Sequence, residues 1–108
     1  MGGRLDHTLA NLQCAYAFAQ KGVQVKLVGK DCVAEIVTDK KIISGYKGQT
    51  FSLFAFDRAE GVYIKNGKYP LVDATLDNTF PLGVSNELLG GDCEIEVGKG
   101  ALLLIVNK

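Results

Sequence analysis

The sequence has no net charge, no long apolar run, no paired-cysteine motif and a single histidine. Each absence removes a class of function. Twelve Lys and Arg balance twelve Asp and Glu over 108 residues, so the overall basic character of a nucleic-acid binder is missing. The longest apolar runs, residues 14–19 and 101–106, fall far short of the ~20 residues that span a bilayer. Residues 1–7 lack the basic end and apolar centre of a signal peptide, so a cytoplasmic location is expected. Cys14, Cys32 and Cys93 are odd in number and form no CxxC pair. That argues against a zinc site or a complete disulfide framework, and for buried free thiols. His7 alone cannot build a multi-histidine metal site. No GxxxxGK[ST] spacing is present, which excludes a Walker A loop. No internal repeat is visible, which argues against a propeller or solenoid.

What is present divides at Gly22. Before it, Leu5, Leu9, Leu12 and Tyr16 recur at spacings of four, three and four, one face of a helix. The spacing predicts a helix over residues 7–20, with Asp6 as N-cap and Gly22 as the C-terminal stop. Its second half, residues 14–19, is apolar almost all round and expects neighbours on more than one side. After Gly22 the period drops to two. Val23, Val25 and Leu27 alternate with polar residues, and β-rich segments follow at 32–38, 42–46, 50–56 and 61–64. Asn66-Gly67 is the strongest short hairpin signal. A last pair, residues 94–97 and 101–106, flanks the turn Gly98-Lys99-Gly100. Short strands between Gly-rich turns predict a mainly β fold, an antiparallel β-sandwich preceded by one N-terminal helix. The all-apolar final strand suits the middle of a sheet covered on both faces.

Three segments carry polar chemistry. Gly2-Gly3-Arg4-Leu5-Asp6-His7 places two glycines, a guanidinium and a carboxylate at the start of a helix. Glycines let backbone approach a ligand, the helix N-terminus favours anions, and Arg4 can fork onto a phosphate. Asp6 can hold Mg²⁺ or orient a hydroxyl; its plainer role is helix capping. Pro81-Leu82-Gly83-Val84-Ser85-Asn86-Glu87 offers a hydroxyl and an amide side by side, able to read a heteroaromatic edge or simply to form a polar turn. In Gly67-Lys68-Tyr69-Pro70-Leu71, Pro70 demotes the strand to an edge or ends it, and Tyr69 reads as packing rather than ligand contact.

Taken together, the first motif with Asn11, then Gly67-Lys68-Tyr69-Pro70-Leu71, then Val84-Ser85-Asn86-Glu87, resemble bacterial thiamine pyrophosphokinases in order and rough spacing. The resemblance implies a transferase that moves diphosphate from ATP to thiamine with Mg²⁺, giving thiamine diphosphate and AMP. It implies that residues 1–22 are an active-site loop and helix left over from a missing α/β domain, and that 23–108 form the thiamine-binding β-sandwich. Carried over residue by residue, Gly2, Gly3 and Arg4 match the phosphate and nucleotide site. Arg4 and Asp6 match the catalytic pair, with Asp6 also facing thiamine and the metal. Ser85 and Asn86 match the thiamine-contacting turn. Some eukaryotic relatives stack an aromatic from the final strand on thiamine, where this chain has only aliphatic residues at 101–106. The family's sandwiches meet across a two-fold axis, so a homodimer is expected, and 108 residues alone are expected to be inactive. The helix, without its α/β sheet, is expected to dock on a second copy, fold on its own sandwich, or fray. The rival from another class is a non-catalytic β-sandwich module for ligand binding or dimerisation.

Overall fold

The computed structural model describes residues 5–22, 24–77, 79 and 83–108, with the side chains of 5–9, 83 and 84 outside that description. Among the described residues, one helix, α1 (Leu5–Gln20), precedes nine strands. These are β1 (Lys26–Val28), β2 (Cys32–Val37), β3 (Lys40–Ile43), β4 (Thr50–Ala55), β5 (Arg58–Lys65), β6 (Leu71–Asp77), β7 (Gly83–Glu87), β8 (Cys93–Glu96) and β9 (Leu102–Asn107). They form two sheets of five and four strands, ordered β1-β2-β9-β4-β7 and β3-β8-β5-β6, and every pairing is antiparallel. The architecture is the mainly β sandwich with one leading helix that the change of period at Gly22 predicts.

Alternation explains the inner core. From the larger sheet Val37, Phe51, Leu53, Leu102 and Leu104 point inward, and from the smaller sheet Val62, Ile64, Leu76, Cys93 and Ile95 meet them. The opposite face of the larger sheet is also covered. Ala34, Ile36, Leu103 and Ile105 pack beneath α1, which contributes Leu12, Ala15, Tyr16 and Ala19. Tyr16 stacks on Phe56 at 4.4 Å between ring centroids and 16° between planes. Strand β9 therefore lies centrally, apolar on both sides, as its composition predicts.

Local turn signals fare less well. The segments at 94–97 and 101–106 read as a hairpin, yet β8 and β9 belong to different sheets. The Gly98-Lys99-Gly100 turn carries the chain across the sandwich instead, and Glu60 stitches it to β5 through backbone bonds to Lys99 of 2.8 and 3.0 Å. Gly100 has φ +102°, and a Cβ there would sit 2.5 Å from the Arg58 carbonyl oxygen. Only glycine fits that corner. Among the described residues, β1–β2 and β5–β6 are the only consecutive strands that pair.

The helix also departs from expectation. It begins at Leu5, so Asp6 falls within its first turn rather than at the N-cap. The helix dipole favours an acidic residue type in a first turn as it does at an N-cap, which is why the residue type suits either position. Gly22, at φ +83°, ends the helix as expected, its N–H bonding the Ala19 carbonyl at 3.0 Å. Cys14 is exposed, against the expectation of burial, while Cys32 and Cys93 are buried. The buried stripe is narrow, at positions 12, 15, 16 and 19, and Cys14 and Phe18 lie off it. The helix thus finds one neighbour rather than several, and that neighbour is its own sandwich. On the helix Leu12 and Tyr16 are packed, Phe18 is exposed and the Leu9 side chain lies outside the described residues.

Candidate functional site

At one end of the sandwich the connection between β5 and β6 meets β7, and two of the three polar segments come together there. The chain leaves β5 through Asn66 at φ +68° and re-enters β6 at Leu71, paired with Ile64. The tight two-residue turn that Asn66-Gly67 signals does not form. Gly67 instead bridges to Leu88, and Asn66 Nδ2 donates to the Asp92 carbonyl at 2.7 Å. A Cβ at Gly67 would lie 2.9 Å from Ile64 Cγ2 and 3.4 Å from Asn86 Oδ1, so the close approach requires glycine. Pro70 then precedes β6, an edge strand, as its chemistry predicts.

Asn86 is the one buried polar side chain among the described residues, 3% exposed. Its Nδ2 donates to the Tyr69 carbonyl at 2.7 Å, and its Oδ1 accepts from the Tyr69 N–H at 2.9 Å and the Glu87 N–H at 2.8 Å. Both backbone groups of Tyr69 are thus held by one side-chain amide, as a neighbouring strand would hold them. Burial without these bonds would be costly, since an amide loses its water partners. Lys68 reinforces the junction. Its N–H donates to the Glu87 carbonyl at 3.0 Å, and its ammonium reaches Glu87 Oε2 at 3.0 Å. The hydrogen bond to Glu87, then its charge, raises the Lys68 pKa above the ordinary value.

Ser85 sits beside this clamp, exposed, at φ +60°. The β4–β7 register runs Phe51↔Asn86 and then Leu53↔Gly83, so two residues, Val84 and Ser85, oppose Ser52. This is a β-bulge, which bends an edge and re-aims a side chain. Ser52 Oγ accepts the Ser85 N–H at 2.9 Å and satisfies the bulge. Tyr69 projects outward, 56% exposed, with the Lys68 ammonium 5.4 Å from its ring centroid. Its expected packing role is therefore corrected: the Asn86 clamp fixes its backbone and leaves the ring outside the core. Tyr69, Lys68 and Ser52 were not among the sequence-derived site residues. The available signal was Lys-Tyr-Pro at the mouth of an edge strand, where a large ring has little core to enter.

Gly2, Gly3 and Arg4 lie outside the described residues, as do Pro81 and Leu82. Asp6 and His7 are placed only as backbone in the first turn of α1, and Asn11 is exposed on the same helix. Among the described residues no three His, Cys, Asp or Glu side chains cluster to hold a metal. No helix among them is long and apolar enough to cross a membrane. A separate cavity of about 300 Å³ lies between α1 and the larger sheet, lined by Leu12, Gln13, Phe54, Ala55, Phe56 and Leu103. Its lining is apolar but for Gln13, so it lacks the convergent polar groups of a selective ligand site.

The fold is a two-sheet antiparallel sandwich with a bulged edge strand, β7, that carries an exposed hydroxyl, Ser85. Residues 31–102 match the model of the thiamin pyrophosphokinase vitamin B1 binding domain, and the chain belongs to that family. No curated protein matches the chain. Among solved structures it is similar to thiamine pyrophosphokinase from Bacillus subtilis at 24% identity and TM-score 0.90, covering 100% of this chain and 52% of that one. The enzyme from Geobacillus thermodenitrificans gives 21% and 0.86, covering 100% and 51%. That from Candida albicans gives 15% and 0.83, covering 100% and 42%. At these identities the likeness is one of fold. The chain spans about half the length of these relatives, and the overlap takes in α1 as well as the sandwich.

Proposed function

We propose that this chain is the thiamine-binding, C-terminal portion of a thiamine pyrophosphokinase. The complete protein transfers diphosphate from ATP to the hydroxyl of thiamine, giving thiamine diphosphate and AMP. Residues 23–108 are the binding sandwich, and residues 1–22 belong functionally to an absent α/β half. The observation that carries this is the family match over residues 31–102, within which Ser85-Asn86 and Lys68-Tyr69 converge on one rim.

In this assignment Ser85 and the Asn86 segment receive the pyrimidine of thiamine. Gly2 and Gly3 let backbone approach the phosphates, and Arg4 neutralises charge that develops during transfer. Asp6 orients the attacking hydroxyl. Mg²⁺ accompanies ATP and supplies charge neutralisation, but the described residues form no cluster to hold it. Asp6 is a single donor, so its metal role depends on acids from the absent half. Pairing of two sandwiches in a homodimer would bring a second half to each thiamine.

The test is to assay thiamine diphosphate and AMP formation with the chain alone and with the chain joined to the α/β half of a relative. Product is expected only from the joined protein. Turnover by the 108-residue chain would overturn the division of labour. Failure of the joined protein to bind or convert thiamine would overturn the assignment and favour a non-catalytic module.

A further inference from the structure

The Asn86 amide has little left to offer a ligand. Both lone pairs of Oδ1 are taken by N–H groups and one Nδ2 hydrogen by the Tyr69 carbonyl, at 2.7 to 2.9 Å, in a position 3% exposed. What these bonds hold is Tyr69, whose ring is 56% exposed and whose backbone is tied to the residue next to Ser85. A buried amide that spends its bonds on one residue's backbone fixes where that residue's side chain starts. Lys68, locked on Glu87 at 3.0 Å, stands over the ring at 5.4 Å from the centroid. A cation already over the ring disfavours a second one and leaves the position better suited to a neutral heteroaromatic ring.

Building on the thiamine assignment above, we propose that Tyr69 is a ligand-contacting residue that stacks on the aminopyrimidine of thiamine, and that Asn86 is its positioning residue. The contact pair on this rim is then Ser85 and Tyr69, with Asn86 acting through the Tyr69 backbone. Truncating a stacking ring weakens binding roughly tenfold or more.

Two measurements on the 108-residue chain test this. The first needs no ligand. Amide exchange at Tyr69 should speed up markedly in Asn86→Ala, and unchanged protection in that variant would overturn the positioning role. The second titrates thiamine, the isolated aminopyrimidine alcohol and the isolated thiazole alcohol into the isotope-labelled chain. Thiamine and the aminopyrimidine should move the Tyr69 and Ser85 signals; a response to the thiazole alone would overturn the ring assignment. Thiamine affinity should fall about tenfold in Tyr69→Ala, recover most of that in Tyr69→Phe, and fall in Asn86→Ala. The double variant should bind no worse than Tyr69→Ala, because Asn86 acts through Tyr69. Additive losses would show that Asn86 touches thiamine itself and would overturn its positioning role. Wild type that binds while Tyr69→Ala binds equally well overturns this proposal and leaves the thiamine assignment standing. Wild type that binds no thiamine overturns the ligand contact proposed for this chain, the thiamine assignment is decided by the joined protein, and the exchange measurement still decides the clamp.

Discussion

The two sheets of the sandwich share an inner core and differ on their outer faces. On the larger sheet the outer face of β2 and β9 is apolar where it lies under α1, so β9 is buried on both sides over Leu102, Leu103 and Leu104. On the smaller sheet the outer face carries ions. Glu94 on β8 accepts Lys40 at 2.9 Å and Lys65 at 3.1 Å, and Lys65 also approaches Glu96 at 3.7 Å. The neighbouring segments Glu94-Ile95-Glu96-Val97 and Leu102-Leu103-Leu104-Ile105 state that difference directly. A strand with one apolar face reports one covering layer, and a strand with two reports two. The same comparison separates what stabilises each face: packing on one, solvated charge pairs on the other.

The comparison breaks most sharply in the shared core. Leu104, 1% exposed, joins the inner cluster, and Leu104→Ala is expected to cost about 2–5 kcal/mol in urea unfolding. A loss below about 1 kcal/mol would mean that the two sheets are not held by this layer. Next comes the helix-covered face. A double-mutant cycle on Tyr16 and Phe56 should return a coupling of about 0.5–1.5 kcal/mol. Zero coupling would detach α1 from the sheet.

A third effect concerns the core thiols. Burial pushes the Cys93 thiol up to about 11 from its ordinary 9.0. The folded state therefore keeps a proton that the unfolded state gives up between these values, so stability falls as pH rises through that window. Cys93→Ser should remove part of that alkaline slope, and an unchanged slope would assign it elsewhere. In the native state, thiol reagents should label exposed Cys14 first and spare Cys32 and Cys93. The smallest effect belongs to the ionic face. The hydrogen bond from Lys40, then that from Lys65, lowers the Glu94 pKa below its ordinary 4.5. Its contribution is present above that value and is lost as pH falls through the lowered one. Glu94→Gln should flatten the acid limb of the stability profile slightly, and added salt should shrink the difference. A salt-independent difference would show that the carboxylate acts by packing.

Much of this was readable in advance, because it depends on neighbours in sequence. The helix before Gly22, the strands after it, the central place of β9 and the edge after Pro70 follow from periodicity and backbone chemistry. Cys14 was misread because a helix that is apolar all round does not say how wide a face its sheet can cover. Tyr69 was misread because its surroundings come from β7, far along the chain. Gly98-Lys99-Gly100 looked like a hairpin because turn residues specify a reversal and not the strand that receives it.

The sequence by itself determined which residues extend, which faces are apolar and where the chain turns, since these rest on φ preferences and two- or four-residue spacings. Only the tertiary structure decided that most consecutive strands change sheets, that α1 closes the larger sheet, and that Asn86 spends its amide on Tyr69. Those outcomes depend on which distant surfaces bury one another and which buried polar groups then need partners, and neither quantity is local.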